Sequence, residues 1–290
     1  MNKISLSPII AGTMNWGTWG KNYSTIEMTS MIECCLENDI TSFDHADIYG
    51  DYTTEASFGK AFKETSVKRE DVQFISKCGI QLLGGVRKNT TKYYDYSKQY
   101  IINSVENSLK NLHTNYLDVL LLHRPSPLMH ADEIAEAIND LKQDGKIISF
   151  GVSNFTSSQT ALINSKITTD YNQIEFSLTH FEAMQNGNLD YMQCNKITPM
   201  CWSPLGTFFK NDSKQNKNLK IVADELAVKY NVPIDVILLT WITKHPANIL
   251  PVCGTTDATR ISHLMKATTL QMELIDWFAL LEASMDKEVP

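Results

Sequence analysis

No apolar run in this chain approaches the roughly 18 consecutive positions of a membrane-spanning helix, and the opening residues, MNKISLSPIIAG, hold no long apolar stretch of a secretory leader. Basic excess is absent too: 26 Lys and Arg stand against 33 Asp and Glu, a net charge of -7. That balance excludes the basic stripe a nucleic-acid partner requires. The six cysteines, Cys34, Cys35, Cys78, Cys194, Cys201 and Cys253, include no CxxC pair. Several fall inside apolar runs, where a free thiol behaves as a small hydrophobe, so a reduced, cytoplasmic protein is expected. No linker or low-complexity tract divides the 290 residues, so they are expected to form a single domain, 1–290.

What is present is a repeated alternation. Short runs rich in Val, Ile, Leu and Phe occur at 6–14, 40–46, 72–80, 116–123, 147–153, 171–177, 199–205 and 247–254. Each reads as a strand buried on both faces. Between them lie amphipathic segments, among them 25–39, 98–112 and 131–145, the last stopped by Gly145. A helix over 53–62 opens on a loose capping-box pattern at Thr53. Eight strands with helical crossovers predict a closed (β/α)8 TIM barrel, with a C-terminal helix over 272–284. The alternative, a doubly wound open sheet, would place GxGxxG after its first strand, and the residues there are AGTMNWG.

In such a barrel the pocket forms at the carboxyl ends of the strands. Nearly every candidate strand delivers a polar or aromatic group there: Asp44 and Tyr49, Lys77, His123, Ser153 and Asn154, Gln173, Trp202 and Ser203. Four of them make a coherent set. A tyrosine is a weak acid, with a free pKa near ~10. A neighbouring ammonium makes its phenolate easier to form, and a carboxylate keeps that ammonium charged and in place. A neutral histidine can orient a carbonyl oxygen. Tyr49, Lys77, Asp44 and His123 supply those roles. A metal-dependent hydrolase built on Asp44, His45, Asp47 and His123 is the rival from another class, but no HxH pair occurs to support it.

The blocks FDHADIYG, ISKCGI, LLLHRPSPL, FGVSNF, YNQIEFS, CWSPLG and LPVCGTTDATR, in that order, resemble the successive signatures of the aldo-keto reductases. The resemblance runs from about residue 9 to residue 268 and is closest to a bacterial branch written DHADIYG. It implies a barrel enzyme that takes hydride from NADPH to the carbonyl carbon of a small aldehyde or ketone. By position it implies Tyr49 as proton donor, Lys77 and Asp44 as its tuning pair, and His123 as the carbonyl-orienting group. His45 and Asp47 fall outside the matching positions, and local hydrogen bonding is expected of both.

On the cofactor side the resemblance implies that Ser153, Asn154 and Gln173 bind the nicotinamide amide and that Trp202 stacks on its ring. It assigns Ser203, Leu205 and Gly206 to a loop over the pyrophosphate, and Gly12, Thr13 and Met14 to the first-strand loop beside it. Gly254, Thr255 and Thr256 lead to a helix start suited to a phosphate, and Arg260 offers donors to the 2′-phosphate of NADPH. The chain departs from many relatives by carrying Gly254 where they have lysine, and His263 and Leu264 where they have an acidic–amide pair. That thins the grip on the 2′-phosphate; NADPH is still favoured over NADH. Trp16, Trp19 and the loops 81–100, 124–130 and 207–218 are the expected pocket walls. The partner expected is a small-molecule carbonyl substrate, with no nucleic acid, no membrane and a monomer favoured. A sensor that binds NADP(H) and docks to a partner without turnover is the third reading.

Overall fold

Six consecutive buried residues, LDVLLL, form the strand Leu117–Leu122. An unbroken aliphatic run of this kind suits a strand covered on both faces. In the computed structural model, which describes residues 4–289, it is one of eight parallel strands that close into a barrel. These are β1 (Ile10–Gly12), β2 (Ser42–Asp44), β3 (Gln73–Cys78), β6 (Leu117–Leu122), β7 (Ile147–Ser153), β8 (Tyr171–Glu175), β9 (Thr198–Trp202) and β10 (Leu250–Cys253). A small antiparallel pair, β4 (Ile80–Gln81) with β5 (Tyr93–Tyr94), stands outside the ring, so the expected run 72–80 leaves the barrel before Ile80 and the expected loop 81–100 holds a strand of its own. The ring order is β1-β10-β9-β8-β7-β6-β3-β2, so the first and last strands meet, with Ile10 opposite Val252.

Alternation along each strand divides the core in two. Val119 and Leu121 join Ile10, Ile75, Tyr171, Met200 and Val252 in one buried cluster, filling the barrel as side chains do in small closed sheets. Leu120 and Leu122 point the other way, into the larger cluster shared with the surrounding helices. Among those helices are Thr25–Glu37, Lys98–Leu112 and Ala131–Gln143, close to the ranges expected. Gly145, with φ +68°, lies just past the last of these, where a left-handed residue ends a helix. The terminal helix is Leu274–Met285. Among the described residues no single helix is long and apolar enough to cross a membrane.

The expected cap at Thr53 does not form. The helix there is Thr54–Lys63, with no side-chain bond at its start, and the Thr53 hydroxyl instead donates to the Gly50 carbonyl at 2.6 Å. The cause is the preceding turn. Gly50 has φ +61°, and a Cβ there would meet the Thr54 hydroxyl at 2.5 Å. Only glycine turns this tightly without a clash, and the turn follows directly on Tyr49.

Candidate active site

β2 ends at Asp44 and β3 carries Lys77 one residue from its end, so two neighbouring strands bring carboxylate and ammonium to the same rim. Lys77 is 1 % exposed. Its Nζ donates to Asp44 Oδ2 at 2.7 Å, to the His45 carbonyl at 2.7 Å and to the Tyr49 hydroxyl at 3.0 Å. An ammonium has three protons and no lone pair. All three are therefore in use, and the phenol oxygen of Tyr49 is an acceptor in this bond, which leaves its own proton available.

The second oxygen of Asp44 is held as well, by Gln173 Nε2 at 2.8 Å. Gln173, expected from the resemblance to bind the nicotinamide amide, lines the cleft and gives one N–H to the buried carboxylate, which needs both oxygens satisfied. Asn154 is similarly engaged. Its Oδ1 accepts from Trp202 Nε1 at 2.9 Å, while its Nδ2 donates to Ser153 Oγ at 2.9 Å.

The electrostatics follow from enclosure. Burial lifts the Tyr49 phenol above its ordinary value, with Lys77 pulling the other way. The expectation that the ammonium would ease ionisation is thus half the account; desolvation outweighs it, and the phenol keeps its proton. Burial acts to lower Lys77, yet Asp44 and Tyr49 overcome it and hold the ammonium above its ordinary range. His123 is driven well below the usual imidazole value, first by burial and then by Lys77, Arg124 and Lys92. It is neutral, its ring edge-on to Tyr49 at 6.1 Å between centroids. His123 Nδ1 is sealed and has no partner among the described residues, so Nε2 is the ring nitrogen left to face a ligand.

His45 and Asp47 do not bond locally. Thr13 Oγ1 donates to the Asp44 carbonyl at 3.0 Å and so, with a single proton, accepts from His45 Nδ1 at 2.9 Å. Burial first, then Lys77 and Arg69, push His45 down to about 3. Asp47 Oδ2 accepts from Tyr100 at 3.2 Å and Ser104 at 3.1 Å, both on the distant helix Lys98–Leu112. Burial, reinforced by Glu55, raises Asp47 to about 7. Both residues brace the rim from behind.

A cleft of about 570 Å³ opens over this corner. Asp44, Tyr49, His123, Gly12, Met14, Ser153, Asn154, Gln173, Trp202, Ser203, Leu205, Gly206, Gly254, Thr255 and Arg260 all line it. Lys77 lies behind the wall and Thr13 is fully buried, turned toward His45 rather than the cleft. Thr256 faces an adjoining cleft of about 600 Å³ that shares Gly254, Thr255 and Arg260 and is completed by Lys21, Asp257 and Ala258. Trp16, read as a pocket wall, is a core residue at 1 % exposure; its Nε1 faces the Thr255 carbonyl at 3.4 Å. Trp19 does line the cleft over the Tyr49 corner. Lys21 had no signal in the sequence, being one polar residue in a glycine-rich loop. Tyr23 donates to the Thr256 carbonyl at 2.9 Å, which ties that loop across to the one after β10.

The family model for the aldo/keto reductase family matches residues 8–279. The chain belongs to the aldo-keto reductase family. This reductase is 37% identical over 295 residues to the uncharacterised oxidoreductase YcsN of Bacillus subtilis, covering 99% of this chain and 97% of that one. It is 34% identical over 291 residues to a 6-dehydroglucose reductase of Agrobacterium fabrum, covering 99% and 97%. Among solved structures, a glycerol dehydrogenase from Gluconobacter oxydans superposes with a TM-score of 0.85 at 21% identity, over 98% of this chain and 94% of that one. The enzyme is therefore an NAD(P)H-dependent oxidoreductase. Its residues suit such a cofactor on one structural ground in particular. The shelf beside Gly254 is open, a Cβ there meeting nothing closer than Asn15 Nδ2 at 3.6 Å, and it is flanked by Lys21 and Arg260, neither of which enters an ion pair among the described residues.

Proposed function

We propose that this aldo-keto reductase reduces a small aldehyde or ketone with NADPH and that Tyr49 gives the proton to the carbonyl oxygen. The observation that carries the reading is the bond from Lys77 Nζ to the Tyr49 hydroxyl, made at full burial. The nicotinamide, when bound, supplies hydride to the carbonyl carbon. The chain's residues do the rest. Tyr49 presents a free O–H to the cleft, and the neutral His123 offers an N–H to the same oxygen. As the Tyr49 proton leaves, the phenolate forms against an ammonium already in place. That costs no reorganisation of the buried Lys77–Asp44 pair. Asp44 keeps Lys77 charged, and Gln173 keeps Asp44 in position.

Ser153, Asn154 and Trp202 would border the nicotinamide, and Ser203, Leu205 and Gly206 the pyrophosphate. Arg260 and Lys21 would take the adenosine 2′-phosphate. The cation missing at Gly254 is thus replaced from the loop after β1, which favours NADPH over NADH. The relative named a 6-dehydroglucose reductase supports an aldehyde as the substrate class.

The test is Tyr49→Phe. Turnover of an aldehyde panel is expected to fall by roughly a thousandfold, the scale of a lost general acid. NADPH binding, followed by quenching of tryptophan fluorescence, should persist. Turnover within a few-fold of wild type would refute the assignment of Tyr49.

A further inference from the structure

Charge around the catalytic cleft is uneven. Four cations line it, Arg260, Lys210, Arg124 and Lys92; Arg124 and Lys92 are the two that act on the His123 imidazole. Neither Arg124 nor Lys92 enters an ion pair among the described residues. The carboxylates facing the same cleft are Asp44, already engaged by Lys77, and Asp235, whose Oδ1 accepts from the Val236 amide at 3.0 Å. Four cations thus face two carboxylates across the cleft, of which Asp44 is paired with Lys77 and Asp235 is met by the Val236 amide.

Arg124 is held there by its backbone. The buried Tyr96 hydroxyl donates to the Arg124 carbonyl at 2.5 Å and accepts from the Arg124 amide at 3.1 Å. Tyr96 in turn is seated against Gly79, where φ is +114° and a Cβ would meet the Tyr96 ring at 2.0 Å. The Arg124 guanidinium lies 5.7 Å from the Trp202 ring centroid, a flat surface that orients it. Its position next to the chemistry also registers electrostatically, since Arg124 opposes ionisation of His123 to imidazolium and favours the Tyr49 phenolate. A half-buried guanidinium with no carboxylate partner presents a planar fork of donors, suited to two oxygens of one anion.

We infer that the physiological carbonyl substrate carries an anionic group, which Arg124 binds with Lys92 as second cation while the carbonyl oxygen sits between Tyr49 and His123. The inference rests on the reading of Tyr49 and His123 as the reacting end. The shared chemistry is a compact oxyanion, carboxylate or phosphate monoester, on an aldehyde or ketone small enough for the cleft.

The experiment compares matched pairs with NADPH: 4-carboxybenzaldehyde with benzaldehyde and 4-nitrobenzaldehyde, succinic semialdehyde with butyraldehyde, and glyceraldehyde 3-phosphate with glyceraldehyde. In wild type the anionic member of a pair should have kcat/KM at least tenfold above its neutral partners, chiefly through KM, and the advantage should shrink as salt rises. The ratio should fall toward one in Arg124→Met, fall less in Lys92→Met, and survive in part in Arg124→Lys. The pairs also tell carboxylate from phosphate. Neutral members preferred throughout, or a ratio untouched by Arg124→Met, would overturn the inference while leaving carbonyl reduction intact. A second readout separates the two failures: calorimetric binding of 4-(hydroxymethyl)benzoate against benzyl alcohol in the presence of NADP+. Preferential binding of the benzoate, lost in Arg124→Met, without reduction of any aldehyde would keep the anion site and discard the proposed reaction. No preference in binding would count against the anion site.

Discussion

The corner of Asp44, Lys77 and Tyr49 and the shelf of Lys21, Thr256 and Arg260 open on adjoining clefts and handle charge in opposite ways. In the corner, ammonium and carboxylate are buried, every proton of Lys77 is assigned, and both oxygens of Asp44 are held. On the shelf, which Asp257 also lines, two cations are exposed and enter no ion pair among the described residues. A buried charge is tolerable only when paired and hydrogen-bonded. An exposed one stays hydrated until a ligand displaces the water, and its contribution is then a difference between ligands. On the proposed reading, chemistry and selectivity thus sit on different kinds of charge.

Lys77→Met is the harshest way to test that contrast. It should lower turnover about a thousandfold, the scale of removing a preorganised transition-state partner. It should also destabilise the fold by roughly 3 to 5 kcal/mol, because Asp44 is left buried and unpaired; thermal unfolding beside steady-state rates reads both. A variant with wild-type melting would show that the corner is not a coupled ion pair.

Lys21→Ala addresses the shelf. The Kd for NADPH should rise about tenfold, the scale of one charge-assisted hydrogen bond, with the Kd for NADH and the melting temperature unmoved. Gly254→Lys should recover the loss, since a side chain has room there. Equal weakening of both nucleotides would place Lys21 away from the 2′-phosphate.

The mildest effect concerns the acids and bases behind the corner. Asp47, held at about 7 in the folded chain, binds more protons folded than unfolded, so its contribution to stability is complete below about pH 4 and is lost as pH rises toward 7. His45, at about 3, works the other way: its contribution is present above about pH 6.5 and is lost as pH falls toward 3. Asp47→Asn should therefore gain stability over wild type at pH 8, on the order of 1 kcal/mol, and not at pH 4. Melting curves across that range check the sign.

The barrel was legible because β6 and its counterparts are continuous apolar runs, a pattern that packing alone writes. Asp44, Lys77 and His123 could be read for a related reason, since each closes or nearly closes such a run and so marks the rim. Lys21 could not, and Lys92 and Arg124 could be read only as members of the loops 81–100 and 124–130 expected to wall the pocket. All three lie on irregular loops whose course is set by distant contacts: Tyr23 with Thr256, and Tyr96 with Gly79 and Arg124. The turn at Gly50 misled for a similar reason, its left-handed backbone taking the Thr53 hydroxyl away from the cap that the residue order suggests. His45 and Asp47 were misjudged because burial, invisible along the chain, forces their bonds to remote strands and helices.

The bonds from Trp16 and Tyr23 to the carbonyls of Thr255 and Thr256 span the junction where β1 meets β10. On the proposed reading, a dinucleotide held by Lys21 on one side of that junction and Arg260 on the other would act as a clasp between the two extremities of the barrel. Cleavage by a protease that enters where these extremities part should slow when the dinucleotide is present, even in an enzyme whose catalytic phenol has been removed.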